Sequence, residues 1–143
     1  MIDKEFVKQK AELIHEDLEL LTEFKSLTFE ELVSENPIRW NGIQHLLQKV
    51  IGRGIDINQH LIAETAESKL KAPQTYTETF LALEELGVLP ENFAQEIARS
   101  AGFRNALVHE YNNLDEHIIY KTMGEAIEQY TKYCDYILKF IES

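Results

Sequence analysis

Apolar side chains at Val7, Ala11, Ile14, Leu18 and Leu21 recur in steps of four and three residues, which draws one stripe along a helix. Phe24-Lys25-Ser26-Leu27 should end that helix, and Thr28-Phe29-Glu30-Glu31 has the form of a capping box opening a short helical turn. Asn36-Pro37 reads as a cap followed by proline at the first helical position, where a missing N–H costs nothing. The stripe Trp40, Ile43, Leu47, Val50, Gly54, Ile57, Leu61 then predicts the longest helix of the chain. Gly52 and Gly54 each cost roughly 1 kcal/mol there relative to alanine, so they suggest a close helix crossing or a bend.

The pattern lapses between Lys69 and Thr75, around Pro73, which marks a connection. Thr75 to Leu86 reads as a third helix stopped by Gly87, and Pro90-Glu91-Asn92 starts a fourth that carries Phe93, Ile97 and Ala101 inward. A last helix begins near Asp115 and bears Ile119, Met123, Ala126, Tyr130, Tyr133, Ile137 and Phe140. No segment sustains the two-residue alternation of a strand. The expectation is an all-α, antiparallel up-and-down bundle of four to five main helices, with residues 1–143 forming a single domain without repeats or linkers.

Composition narrows the function rather than the fold. A chain of this length should bury roughly two-thirds of the surface it exposes when unfolded, so it needs no staples. Its single cysteine, Cys134, excludes an internal disulfide and a cysteine-rich zinc site, and its apolar helical setting reads as packing. No apolar run is long enough to cross a bilayer, and the first residues lack a basic segment followed by an apolar one, so no membrane contact and a cytoplasmic location are expected. The formal net charge of −11 argues against a nonspecific DNA binder, so any work on nucleic acid must use a local basic cleft.

The fourth helix breaks its own pattern. Continuing the stripe from Phe93 and Ile97 through Ser100 calls for an apolar residue where the chain has Arg104, followed by Asn105. An arginine is almost never fully buried without a partner, so the stripe should open there into a cleft or an interface. Asn105 and His109 lie four apart and share a helical face, whereas Arg104 and His109, five apart, leave an ideal helix roughly 140° from each other. The two can serve one substrate group only if the helix frays near His109 or if the pair is completed across a dimer. Asn112-Asn113 is a plausible place for the helix to end.

The run Arg104-Asn105-Ala106-Leu107-Val108-His109-Glu110-Tyr111 resembles the R-x4-H-x-Y signature of HepT proteins in the HEPN superfamily, with Phe103 before it and a long helix after it. The stretch Pro37-Ile38-Arg39-Trp40-Asn41-Gly42-Ile43-Gln44 through Ile55-Asp56-Ile57 also resembles that family's second helix. The resemblance implies a HEPN-type homodimer that cleaves RNA without a metal or cofactor, by attack of the 2′-OH on the neighbouring phosphate. His109 would be the acid and base, Arg104 the phosphate clamp and Asn105 a support that orients the histidine. It further implies a toxin of a toxin–antitoxin pair whose antitoxin, an MntA-like nucleotidyltransferase, silences it by moving AMP onto Tyr111.

Arg39, Lys49 and Arg53 on the second helix are candidates for extending a basic cleft toward RNA. Each of these sites also has an ordinary reading: Arg104 as an interface ion-pair residue, His109 as a helix-end residue favoured by the dipole, and the three cations as plain surface. His15, His45, His60 and His117 read as solvated or hydrogen-bonded helix residues, although His45 and Gln44 could reach an interface. The acidic clusters Glu16-Asp17-Glu19 and Glu84-Glu85 read as solvated faces, since no histidines stand at metal-ligand spacing. Two other functions compete with the ribonuclease: a non-catalytic HEPN module that docks a nucleotidyltransferase or a nucleotide, and a purely structural helical oligomer.

Overall fold

Five of the six helices among the described residues start where a local side chain takes up an orphan N–H group of the first turn, and the remaining one starts after Pro90 instead. In the computed structural model, which describes residues 1–65, 72–109 and 114–143, Asp3 accepts from the Phe6 N–H at 3.0 Å and opens α1 (Lys4–Thr22). Hydrogen-bonded turns carry the chain on through Leu27. The Thr28–Glu31 capping box is present in both directions, at 3.2 and 3.1 Å, and starts the short α2 (Phe29–Ser34). Asn36 accepts from the Arg39 N–H at 3.0 Å, with Pro37 as the first residue of α3 (Pro37–Thr65). α3 runs for 29 residues, about 43 Å.

Thr75 caps α4 (Tyr76–Glu85) through the Glu78 N–H at 3.1 Å. Gly87, at φ 78°, ends that helix in a Schellman turn: Val88 N–H donates to Leu83 at 2.8 Å and Gly87 N–H to Glu84 at 3.0 Å. α5 (Glu91–His109) returns directly along α4, and Asp115 caps α6 (Glu116–Glu142). The connection expected around Pro73 falls partly on residues 66–71, outside the described residues.

α3 is the central element, with α1, α4 and α5 packed around it and α6 closing the bundle against α1. The described residues form six helices and no strand, so the expected all-α bundle gains one short helix at Phe29–Ser34. The whole α3 stripe from Trp40 to Leu61 is buried, as are Ile119, Met123, Ala126, Tyr130, Tyr133 and Ile137 on α6. Phe140 is only half-buried, because the stripe drifts by one position at the end of α6 and Ile141 enters the core instead.

The two glycines of α3 answer to different neighbours. A Cβ at Gly54 would stand 2.9 Å from Tyr130 Cε1, so α6 approaches there closer than any side chain permits. Its carbonyl accepts from the buried Tyr133 hydroxyl at 2.9 Å. A polar cluster lies at this crossing: the single Tyr133 proton is shared with Asn58 Oδ1 at 2.5 Å, Asn58 donates to Thr79 at 3.1 Å, and Ser100 and Tyr130 share a hydrogen bond of 2.7 Å. Buried polar groups are tolerable when paired in this way, and the cluster fixes the mutual register of α3, α4, α5 and α6. Gly52, two residues earlier on α3, faces Arg104.

Candidate nucleic-acid site

Arg104 leaves α5 on the continuation of its core stripe and is half-buried between two supports. Its Nε lies 3.4 Å from the position a Cβ would occupy on Gly52, and its Cζ sits 5.8 Å from the centre of the Tyr76 ring. A Cβ at 52 would only touch the guanidinium, whereas a longer side chain would displace it from α3, and the ring face of Tyr76 favours a cation above it. The Nε is buried and has no hydrogen-bond partner among the described residues. A guanidinium with one edge desolvated and no carboxylate beside it is built to receive an anion on its remaining edge.

Arg104 lines a groove of about 320 Å³ between α1, α3 and α5. Lys10 from α1 and Lys49 and Arg53 from α3 line the same groove, with His45, Gln48 and Asp56. Lys10 pairs with Asp56 at 3.0 Å. Arg53 donates to the Leu13 carbonyl at 3.2 Å and forms an ion pair with Asp17, whose other oxygen lies 3.8 Å from Lys49 Nζ. Arg104 is the lining cation without a carboxylate partner among the described residues.

Asp17 corrects the reading of its cluster as a solvated face. Glu16 and Glu19 are exposed, but Asp17 is only 6% exposed and reaches from α1 to two cations of α3. A buried carboxylate needs such partners, because desolvation alone would expel it. Lys10, Tyr76 and Gly52 belong to the site through contacts that no spacing within their own helices announces.

The remaining candidates fall elsewhere. Arg39 donates to the Glu31 carbonyl at 2.8 Å and lies 5.7 Å over the Phe24 ring, so it ties α2 to α3 and does not line the groove. His109 is exposed on α5, and the helix is continuous up to it, so it does not fray before the histidine. Asn105 is exposed on the same face as His109, and no hydrogen bond joins them. Tyr111 lies outside the described residues. His45 is exposed at the groove, His60 accepts from the Asp3 N–H at 2.9 Å, and His117 stacks on Phe29 at 3.9 Å. Among the described residues no cluster of three or more His, Cys, Asp or Glu side chains could hold a metal, and no helix is long and apolar enough to cross a membrane.

An all-α bundle that gathers cations from three helices around one unpaired arginine defines a class of protein suited to phosphate-bearing ligands. The family described as "Ribonuclease HepT-like" matches residues 14–137. The tRNA nuclease HepT of Aphanizomenon flos-aquae is 31% identical over 142 residues, covering 98% of this chain and 92% of that protein. A tri-AMPylated HEPN toxin of Shewanella oneidensis, solved in complex with MNT antitoxin, superposes with a TM-score of 0.79 at 19% identity, over 96% of this chain and 98% of that one. The cytosolic protein of unknown function YutE from Bacillus subtilis superposes with a TM-score of 0.83 at 18% identity, over 99% of this chain and 92% of that one. The chain belongs to the ribonuclease HepT-like family, and its fold is like that of the HEPN toxin.

Proposed function

We propose that this protein is the toxin of a toxin–antitoxin pair, a metal-independent endoribonuclease that works in the cytoplasm at a cleft between two copies of the chain. Arg104 carries this reading: it is held at a groove by Gly52 and Tyr76, its Nε is desolvated, and its outer edge has no carboxylate partner among the described residues. His109, as neutral imidazole, takes the proton of a ribose 2′-OH. The 2′-oxygen attacks the adjacent phosphorus while Arg104 stabilises the charge that develops on the phosphoryl oxygens. The 5′-oxygen leaves with a proton from an imidazolium, giving a 2′,3′-cyclic phosphate and a 5′-OH. Asn105 shares the exposed face of His109 and orients it when the cleft closes. The relationship to a tRNA nuclease over almost the whole chain favours tRNA as the substrate.

The test is cleavage of RNA by the purified protein in EDTA, with product ends analysed. His109→Ala should lose about 10²–10⁴-fold in rate, the range of an acid–base group, with helicity unchanged. Cleavage retained by the folded variant removes His109 from the chemistry.

Regulation is proposed at Tyr111, two residues beyond the histidine. The tyrosine oxygen attacks the α-phosphorus of ATP in a nucleotidyltransferase partner, pyrophosphate leaves, and the AMP added places negative charge where substrate phosphate must bind. A tri-AMPylated toxin among the fold neighbours supports such a partner. Co-expression with a cognate nucleotidyltransferase should raise the mass by whole AMP units, and Tyr111→Phe should abolish the increment attached there. An unchanged mass with activity still neutralised means inhibition by binding alone.

A second reading, a non-catalytic module that docks a nucleotidyltransferase or nucleotide, draws support from the net charge of −11. Under it, partner binding survives His109→Ala and no RNA is cut.

A further inference from the structure

Four cations of three different helices meet at one groove on a chain whose acidic residues outnumber its lysines and arginines by 25 to 14. Arg104 alone would serve a single phosphate. Lys10, Lys49 and Arg53 extend the positive wall from α5 across α3 to α1. Against these four cations stand two carboxylates, Asp17 and Asp56, so the groove stays positive.

The arrangement of those carboxylates is unequal. Asp56 is half-exposed at the rim and holds Lys10 at 3.0 Å, where water screens the pair. Asp17 is buried, and its two oxygens are divided between Arg53 and Lys49. A buried pair of this kind stabilises little compared with well-packed apolar side chains. What it supplies is direction: Arg53 is anchored to α1 by both Asp17 and the Leu13 carbonyl, and Lys49 is drawn toward the groove while its side chain stays 37% exposed.

We propose that this groove is a second phosphate subsite, holding the RNA backbone beside the phosphate that Arg104 engages. Lys10 and Lys49 contact the phosphate, and Asp17 is a positioning residue that aims Lys49 and Arg53. The inference rests on the ribonuclease reading for its ligand, a single RNA strand, but requires no chemistry at His109. Lys10 exchanges Asp56 for the backbone phosphate when the strand arrives, which makes the binding salt-sensitive, while Lys49 reaches the phosphate from its place beside Asp17.

Binding of a fluorescent 2′-O-methyl oligoribonucleotide, which cannot be cleaved, tests the subsite separately from catalysis. Relative to the wild-type protein, Lys10→Ala/Lys49→Ala should weaken binding about tenfold and make the slope of log affinity against log salt shallower by about 0.7 for each phosphate that a lysine no longer neutralises. Lys121→Ala/Lys132→Ala on α6 removes the same charge away from the groove and should change affinity less than twofold. Because the probe reads binding alone, the result for the lysine pairs stands whether or not the protein cleaves RNA. An equal loss from both lysine pairs, or none from the groove pair, overturns it.

Asp17→Asn separates aim from charge. If the carboxylate merely dilutes the positive groove, removing its charge tightens binding; if it positions Lys49 and Arg53, binding weakens severalfold and Asp17→Glu recovers part of the loss. Tighter binding by a folded Asp17→Asn protein overturns the positioning role.

Discussion

Mixing Arg104→Ala and His109→Ala chains and letting subunits exchange should restore about a quarter of wild-type ribonuclease activity, although each variant alone loses roughly 10²-fold or more. The expectation follows from α5 being continuous through His109. On such a helix the two side chains diverge by roughly 140°, and the groove lined by Arg104 does not include His109. One chain therefore presents an arginine without its histidine, and a two-fold partner can supply the missing group reciprocally. In a mixed dimer one composite site then has both native residues and the other has neither. Random exchange makes half of the dimers mixed, with one good site in two, hence about a quarter.

A pair completed within one chain gives a different result, because every site in the mixed dimer then carries a lesion and activity stays at the level of the single variants. Arg104→Lys provides the companion measurement. An ammonium keeps the charge but loses the planar fork that can face Tyr76 and a phosphate together, so it should recover little of the rate.

The helices were legible because their determinants are local. The Thr28–Glu31 box, Pro37 after Asn36 and Gly87 after α4 each act within one turn, and all three are observed. The glycines of α3 announced close approach, but the sequence could not say by what: Tyr130 on α6 for Gly54, and Arg104 on α5 for Gly52. Arg104 itself was visible as a break in a stripe. Asp17 was misread because Glu16 and Glu19 surround it and its partner Arg53 lies 36 residues away. A signal for its burial did exist, since Asp17 stands three residues after Ile14 and beside Leu18 on the buried face. Lys10 pairs across 46 residues with Asp56, and no period within α1 encodes that. Tyr76 is similarly invisible, as its role depends on how α4 meets α5.

The buried tyrosines lead to the largest expected effect on stability, unfolding at alkaline pH. Tyr130 and Tyr133 are fully buried, and burial above all pushes both phenols well above their ordinary value of 10.0; Cys134 adds to the effect at each, while the Ser100 hydrogen bond opposes it at Tyr130. Burial likewise pushes the Cys134 thiol from 9.0 up to about 12. All three groups hold their protons more tightly in the folded protein than in the unfolded chain. Their contribution is thus fully present below about pH 9, where both states are protonated, and is withdrawn as the unfolded chain alone releases protons. Each retained proton costs about 1.4 kcal/mol of stability per pH unit above the unfolded value. With the thiol and two phenols acting together above pH 10, the slope approaches about 4 kcal/mol per unit, and a domain of ordinary stability, about 5–15 kcal/mol, should unfold within a few units. Far-ultraviolet circular dichroism and tyrosinate absorbance followed together should show Tyr130 and Tyr133 ionising only as helicity is lost. Tyr130→Phe costs about 1 kcal/mol at neutral pH through its bond to Ser100, yet it should flatten the alkaline slope by about one proton. An unchanged slope in that variant would mean that other groups drive the transition, and full ionisation of all the tyrosines with helicity intact would mean that the crossing of α3 and α6 opens to water without unfolding the bundle.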